Sequence, residues 1–281
     1  MRKIEFTACP NDSGIRIKDY LRAFGVSSSL LTRLKQTENG ITLNGSFART
    51  IDTLSDGDKL VIEIENRGHM PSPVKMDIEV CYEDEDIIVL NKPPLMPVHE
   101  SRNHIGDTLS NFVAYHLNED TAFRAVYRLD RDTSGLVVVA KHELAASKLA
   151  GNIVKHYYAL VQGSIAESGT VDLPVARCGD SIIKRRVSEN GERAVTHYEP
   201  VTGYDGYTLV KFTLETGRTH QIRVHMSHIG HPLLGDSLYG GDCTMINRQA
   251  LHCRDIRLTH PVTLKTVHIE CEFPKDIKNL I

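Results

Sequence analysis

Within nine residues, Tyr127-Arg128-Leu129-Asp130-Arg131-Asp132-Thr133-Ser134-Gly135, the chain sets two aspartates, two arginines and a Thr-Ser-Gly turn. The apolar run Leu136-Val137-Val138-Val139-Ala140 follows, and then Lys141. A short run of branched residues bounded by a glycine and a charge reads as a buried strand. A carboxylate at the entry to such a strand is held by local hydrogen bonds and guanidinium neighbours, which favour its ionised form. That is the form a nucleophile or general base needs. An ion-paired turn before a core strand has the same composition, so these residues alone leave both readings open.

A second group is Thr216-Gly217-Arg218-Thr219-His220-Gln221-Ile222-Arg223-Val224-His225. Thr219 is placed to cap a helix on which Ile222, Met226 and Ile229 share one face at i, i+4 and i+7. His220, His225, His228 and His231 fall within twelve residues, a density that raises the question of a metal. Their spacing does not gather three imidazoles tetrahedrally, and no HExxH or cysteine pair completes a set, so no metal site is expected. Lys155-His156-Tyr157-Tyr158-Ala159-Leu160-Val161 reads as a strand whose adjacent tyrosines face opposite ways. An aromatic ring on such a strand could offer its face to a planar ligand, although strand aromatics mostly serve the core.

The elements around these groups follow in order. Ile17, Tyr20, Leu21 and Phe24 have helical spacing, Gly25 closes that helix, and Ser27-Ser28-Ser29 caps a second through Leu34. Short strands follow at Ile41-Thr42-Leu43 and Lys59–Ile64, with turns at Asn44-Gly45 and Asp56-Gly57-Asp58. Residues 66–77 carry two prolines and a glycine without periodicity and read as a linker. Ile87-Ile88-Val89-Leu90 is a buried strand stopped by Pro93-Pro94. Asp107 caps an amphipathic helix to Leu117, a helix spans 143–152, and Lys184-Arg185-Arg186 reads as a basic loop.

Composition sets bounds. With 281 residues there is length for one large or two smaller domains with a proper core. A net charge of −3, from 33 basic and 36 acidic residues, means any nucleic-acid contact must come from local patches. One such patch lies between Gly14 and Lys35, where Arg16, Lys18, Arg22, Arg33 and Lys35 face a single Asp19. No apolar run is long enough to span a membrane, no signal peptide is evident, and the six scattered cysteines suit a reducing cytoplasm.

Arg128-Leu129-Asp130-x-x-Thr133-Ser134-Gly135 before an apolar strand resembles the active-site motif of RluA-type RNA pseudouridine synthases. The resemblance runs from about residue 80 to 275. It takes in Asn91-Lys92-Pro93 with His99, the run Lys155-x-Tyr157-x-Ala159-x-Val161-x-Gly163, and all fixed positions of Thr216–His225. It continues through His231-Pro232-Leu233-Leu234-Gly235-Asp236. The chain departs from the pattern at Tyr127, where the family commonly has histidine, and at Leu95, where it usually has glycine. The first 66 residues resemble the αL-type RNA-binding module named for a small-subunit ribosomal protein.

The resemblance implies an α+β fold, a mixed, largely antiparallel sheet with flanking helices (78–281), joined by the linker 67–77 to a small α/β RNA-binding domain (1–66). It implies isomerisation of uridine to pseudouridine in structured RNA without metal or cofactor. Large-subunit ribosomal RNA is the first candidate and transfer RNA the second. In this reading Asp130 is the essential carboxylate, Arg223 its partner, and Tyr157 stacks the base. Arg128, Arg218, Lys92, Arg16, Lys18, Arg33 and Lys35 contact RNA, with a structural role also open to Arg218. Asp130 could attack the ribose, add to the uracil ring, or deprotonate the sugar, and the sequence does not choose. A non-catalytic RNA-binding or ribosome-assembly factor is the alternative, with an aspartate- or histidine-based hydrolase behind it.

Overall fold

A computed structural model describes residues 1–66, 68–117, 122–179, 181 and 183–281. Arg67, the first residue of the expected linker, lies outside the described residues. The chain begins with β1 (Arg2–Thr7), α1 (Ile17–Phe24), α2 (Ser28–Gln36), β2 (Ile41–Leu43), β3 (Ser46–Phe47) and β4 (Lys59–Ile64), its strands ordered β1-β4-β2-β3. Gly25 ends α1 at φ 107°, a left-handed backbone that glycine adopts without steric cost. The Leu30 N–H donates to the Ser27 hydroxyl and so starts α2. Strand β1 adds to the strands expected: Ile4 and Phe6 alternate inward between polar neighbours. Ile17, Leu21, Leu30 and Leu34 pack on Ile4, Leu60 and Ile62, and Leu144 joins this core from far along the chain.

After an extended segment come β5 (Glu79–Glu83), β6 (Ile87–Lys92), α3 (Leu109–Leu117), β7 (Ser134–Ala140), α4 (Glu143–Leu149) and β8 (Ile153–Gln162). Then follow β9 (Gly169–Asp172), β10 (Val175–Arg177), β11 (Arg185–Val187), β12 (Val195–Tyr204) and β13 (Tyr207–Leu214). The chain closes with α5 (Gln221–His228), β14 (Leu251–Thr259), β15 (Thr266–Glu270) and α6 (Lys275–Lys278). Among the described residues, nine strands form one sheet in the order β5-β6-β7-β14-β8-β13-β12-β9, with β15 beside β14. The β7–β14 pairing is parallel and the other pairings antiparallel, the mixed sheet of an α+β fold. Among the described residues no helix is long and apolar enough to cross a membrane.

Strand β7 is buried along its whole length between β6 and β14, which is why its sequence is a continuous apolar run rather than an alternation. Gly135 sits at φ 115° opposite Cys253 of β14. A Cβ there would lie 2.2 Å from the Cys253 carbonyl oxygen, so the glycine of the Thr-Ser-Gly turn permits this close approach.

Two local expectations are corrected. Asp107 does not cap α3: it faces His104, and the cap is made by Asn111 Oδ1, which accepts the Thr108 N–H and hydroxyl. Arg185 and Arg186 are not in a loop, because backbone pairing with β10 draws them into a two-stranded ribbon.

Candidate active site

Asp130 lies in the turn that feeds β7, closed by the Thr133 N–H donating to the Asp130 carbonyl at 3.1 Å. Two buried basic side chains hold the turn's backbone from beneath. Lys92 Nζ donates to the Arg131 carbonyl at 3.0 Å and to those of Pro93 and Met96 at 2.8 Å each. Arg248 Nη1 donates to the Asp132 carbonyl at 3.0 Å while its other edge is bidentate on Asp276. Ser134 and His252, 2.9 Å apart, join the turn's end to β14. Burial, reinforced by Arg248 and Arg254, pulls the His252 pKa down to about 3 and keeps that imidazole neutral.

The guanidinium beside Asp130 is not its sequence neighbour. Arg131 turns away and grips Asp132. Arg223, buried on α5, places Nη1 3.3 Å from Asp130 Oδ2. Its Nε and Nη2 hold Asp236 at 2.6 and 2.8 Å. Burial works against the Arg223 charge, but the Asp236 hydrogen bonds and the charges of Asp236 and Asp130 outweigh it and raise the pKa. The Tyr239 ring lies against this guanidinium, 5.0 Å from its carbon to the ring centroid.

Helix α5 starts differently from the expectation. Thr219 does not cap it; His220 precedes the helix at φ 60° with no side-chain cap bond. Gln221 secures the entry instead. Its Oε1 accepts from the Arg218 N–H and the Thr216 hydroxyl, and its Nε2 donates to the Val195 carbonyl and to Thr196. The clustered histidines go to separate partners: His225 to Thr196 and the Leu173 carbonyl, His231 to the Gln162 carbonyl, and His220 to Tyr239.

Asp130, Arg128, Tyr157, Arg218, His220 and Arg223 line one open cavity. The Tyr157 phenol is pushed well above its ordinary pKa by burial, then by Cys253 and Asp130, so the side chain offers a neutral ring. Tyr158, on the other face of β8, packs against Phe273. A carboxylate pinned through one oxygen beside an aromatic wall can attack carbon, or take a proton, next to a stacked planar ring.

The family model described as RNA pseudouridylate synthase matches residues 86–228. An uncharacterized RNA pseudouridine synthase of Bacillus subtilis, YjbO, is 40% identical over 279 residues, covering 94% of this chain and 98% of its own length. The chain belongs to the RNA pseudouridylate synthase family. Ribosomal large subunit pseudouridine synthase D of Pseudomonas aeruginosa is 39% identical over 259 residues, covering 84% of this chain and 81% of that one. Among solved structures, human RNA pseudouridylate synthase domain containing 1 superposes with a TM-score of 0.59 at 26% identity, over 70% of this chain and 83% of the other. The synthase converts uridine in RNA to pseudouridine.

Within the synthase, the cavity gathers Asp130, Tyr157, Arg223, Arg128 and Arg218 and leaves the other sequence-predicted residues elsewhere. Lys92 is corrected. It is completely buried, with its three carbonyl bonds beneath the turn, and cannot reach a phosphate. Burial, aided by Arg248, lowers its pKa to about 7. Arg218 pairs with Glu192 and donates to the Arg193 carbonyl, a structural engagement at the cavity wall. Arg33 is tied to Ser29 and to Glu143 on α4, while Arg16 and Lys35 are exposed and Lys18 half-buried. Asp236 and Tyr239 support the site without having been singled out for it. Asp236 closes the family-like run His231–Asp236, a signal that marked its neighbourhood.

Proposed function

We propose that the synthase isomerises specific uridines of large-subunit ribosomal RNA in the cytoplasm, with Asp130 as the essential carboxylate and residues 1–66 as an RNA-binding module. The observation that carries this reading is Arg223 Nη1 at 3.3 Å from Asp130 Oδ2 in a cavity walled by Tyr157. The ribosomal target rests on the names of relatives such as the Pseudomonas synthase D, and on the exposed cations Arg16 and Lys35 of the first sheet and its helices.

The reaction breaks the bond from ribose C1′ to uracil N1, turns the ring, and forms a bond from C1′ to C5. The C5 proton leaves and N1 gains one, so atoms and charge balance with no change of oxidation state. The uridine must leave its stack, at a cost of a few kcal/mol that a loop or unpaired base reduces. Tyr157 receives the base on its ring, a contact worth about 1–3 kcal/mol. Arg128, exposed at the cavity mouth, takes the vacated place in the stack. Arg223 neutralises Asp130 Oδ2 and sets the carboxylate's aim toward the sugar and the base.

Tritium release from RNA labelled at uridine C5 tests the proposal, with unmodified large-subunit ribosomal RNA and transfer RNA offered separately. The wild type is expected to release tritium from the ribosomal RNA. Asp130→Asn is expected to bind that RNA and release none. A normal rate for Asp130→Asn would sink the assignment of the carboxylate, and release from transfer RNA alone would sink the assignment of the target.

A further inference from the structure

His220 holds a left-handed backbone, φ 60°, which costs a residue with a Cβ and persists where the surroundings impose it. His220 lines the cavity, and its two ring nitrogens face different partners. Nδ1 lies 2.8 Å from Tyr239 Oη, and Nε2 faces Asp130 Oδ2 at 3.7 Å. Tyr239 Oη already accepts the Arg185 backbone N–H at 2.9 Å, so its own hydrogen is available to His220 Nδ1. A neutral imidazole that accepts at Nδ1 carries its hydrogen on Nε2. The other tautomer would turn a lone pair toward the negative oxygen of Asp130.

The groups facing His220 bear on its charge. Burial lowers its pKa; Asp130 and Asp236 favour the imidazolium, and Arg223 and Arg185 oppose it. One short segment organises both side chains that face Asp130. Asp236 grips Arg223, and Tyr239 grips His220.

We propose that His220, in the Nε2–H tautomer set by Tyr239, is a positioning residue for Asp130. Together with Arg223 it addresses the same oxygen, Oδ2, fixes the rotation of the carboxylate and leaves Oδ1 for the uridine. The inference rests on the reading of Asp130 as the essential carboxylate. The separation of 3.7 Å is longer than a hydrogen bond, and contacts of this kind shorten when the reacting group is in place.

The test is single-turnover tritium release with His220→Ala, His220→Gln, Tyr239→Phe and His220→Ala/Tyr239→Phe, alongside RNA binding and thermal melting. His220→Ala is expected to slow the step about 100-fold, the effect of a misaimed reacting group, with RNA affinity unchanged. His220→Gln, whose amide nitrogen can stand in for Nε2–H, is expected to recover about tenfold of that loss. Tyr239→Phe keeps the ring on Arg223 and is expected to slow the wild type while adding nothing to His220→Ala. A wild-type rate for His220→Ala, equal losses in His220→Ala and His220→Gln, or additive losses in the double variant would overturn the proposal. Asp130→Asn is run beside them: turnover by that variant would remove the underlying reading, whatever the His220 variants do.

Discussion

Arg223 gives its paired edge to Asp236, at 2.6 and 2.8 Å, and reaches Asp130 through Nη1 alone, at 3.3 Å. The guanidinium plane is thus set by a buried carboxylate outside the active-site motif, and Asp130 meets a cation that is already oriented. Asp236→Asn keeps the shape and removes the charge. Leaving one member of a buried pair without its partner costs about 3–5 kcal/mol, so the urea midpoint should fall clearly and the single-turnover rate with it. Unchanged stability in this variant would mean that Asp130 alone suffices to compensate Arg223.

Lys92→Met keeps the length of the side chain and removes the donor to three carbonyls. Each buried acceptor left unmet costs about 1–3 kcal/mol, with some relief from local adjustment, so a marked loss of stability is expected. The pH dependence has a definite sign. The folded pKa of about 7 lies below the unfolded value of about 10.4, so between them the unfolded chain keeps a proton that the folded chain has released. Wild-type stability relative to Lys92→Met should therefore rise from pH 7 to pH 9 in urea titrations. A flat difference would show that the carbonyls hold Lys92 as an ammonium throughout this range.

Leu95 occupies φ 62° in the loop clamped by Lys92, and the residue is 65% exposed. Left-handed backbone costs a residue with a Cβ about 1–2 kcal/mol, and an exposed side chain returns little through packing. Leu95→Gly removes the strain but adds about 0.5–1 kcal/mol of unfolded-chain entropy. A small net gain of roughly 0.5 kcal/mol is expected from these opposing costs, read as a higher urea midpoint.

The basic residues of the first helices should separate by salt dependence. Exposed Arg16 and Lys35 are free to meet phosphates, whereas Arg33 is engaged by Glu143. Arg16→Ala or Lys35→Ala should lower the slope of log affinity against log salt by about 0.7–0.9 for each phosphate no longer neutralised. Arg33→Ala should leave the slope near its wild-type value. A smaller slope for Arg33→Ala than for Lys35→Ala would reverse the assignment. The effect on stability should stay within about 1 kcal/mol, because the Arg33–Glu143 pair is partly exposed.

Much of this molecule is legible in its sequence because local rules and global packing agree there. Gly25, Ser27 and the Asn44-Gly45 turn do in the fold what their chemistry predicts. The apolar run after Gly135 becomes the fully buried strand β7, and Tyr157 and Tyr158 separate to opposite faces because strand side chains alternate. Strand β1 also carried a readable pattern, Ile4 and Phe6 between polar residues, but in a stretch too short to stand out. Motifs near Asp130, Tyr157 and Arg223 identified the residues that meet in one cavity.

Tertiary structure decided which charges serve the surface and which serve the interior. Lys92 reads as a surface cation in a loop, yet the fold encloses its amine with three carbonyls. Arg131 adjoins Asp130 in sequence, yet Arg223, ninety-three positions away, supplies the cation. Asp107 and Thr219 looked like caps until Asn111 and Gln221 took those bonds. Local sequence fixes backbone preference and the alternation of faces, because both depend on neighbours a few residues apart. The partner of a polar group depends on which distant segments fold against it, and that is where Asp236, Tyr239 and His220 acquire their places around Asp130.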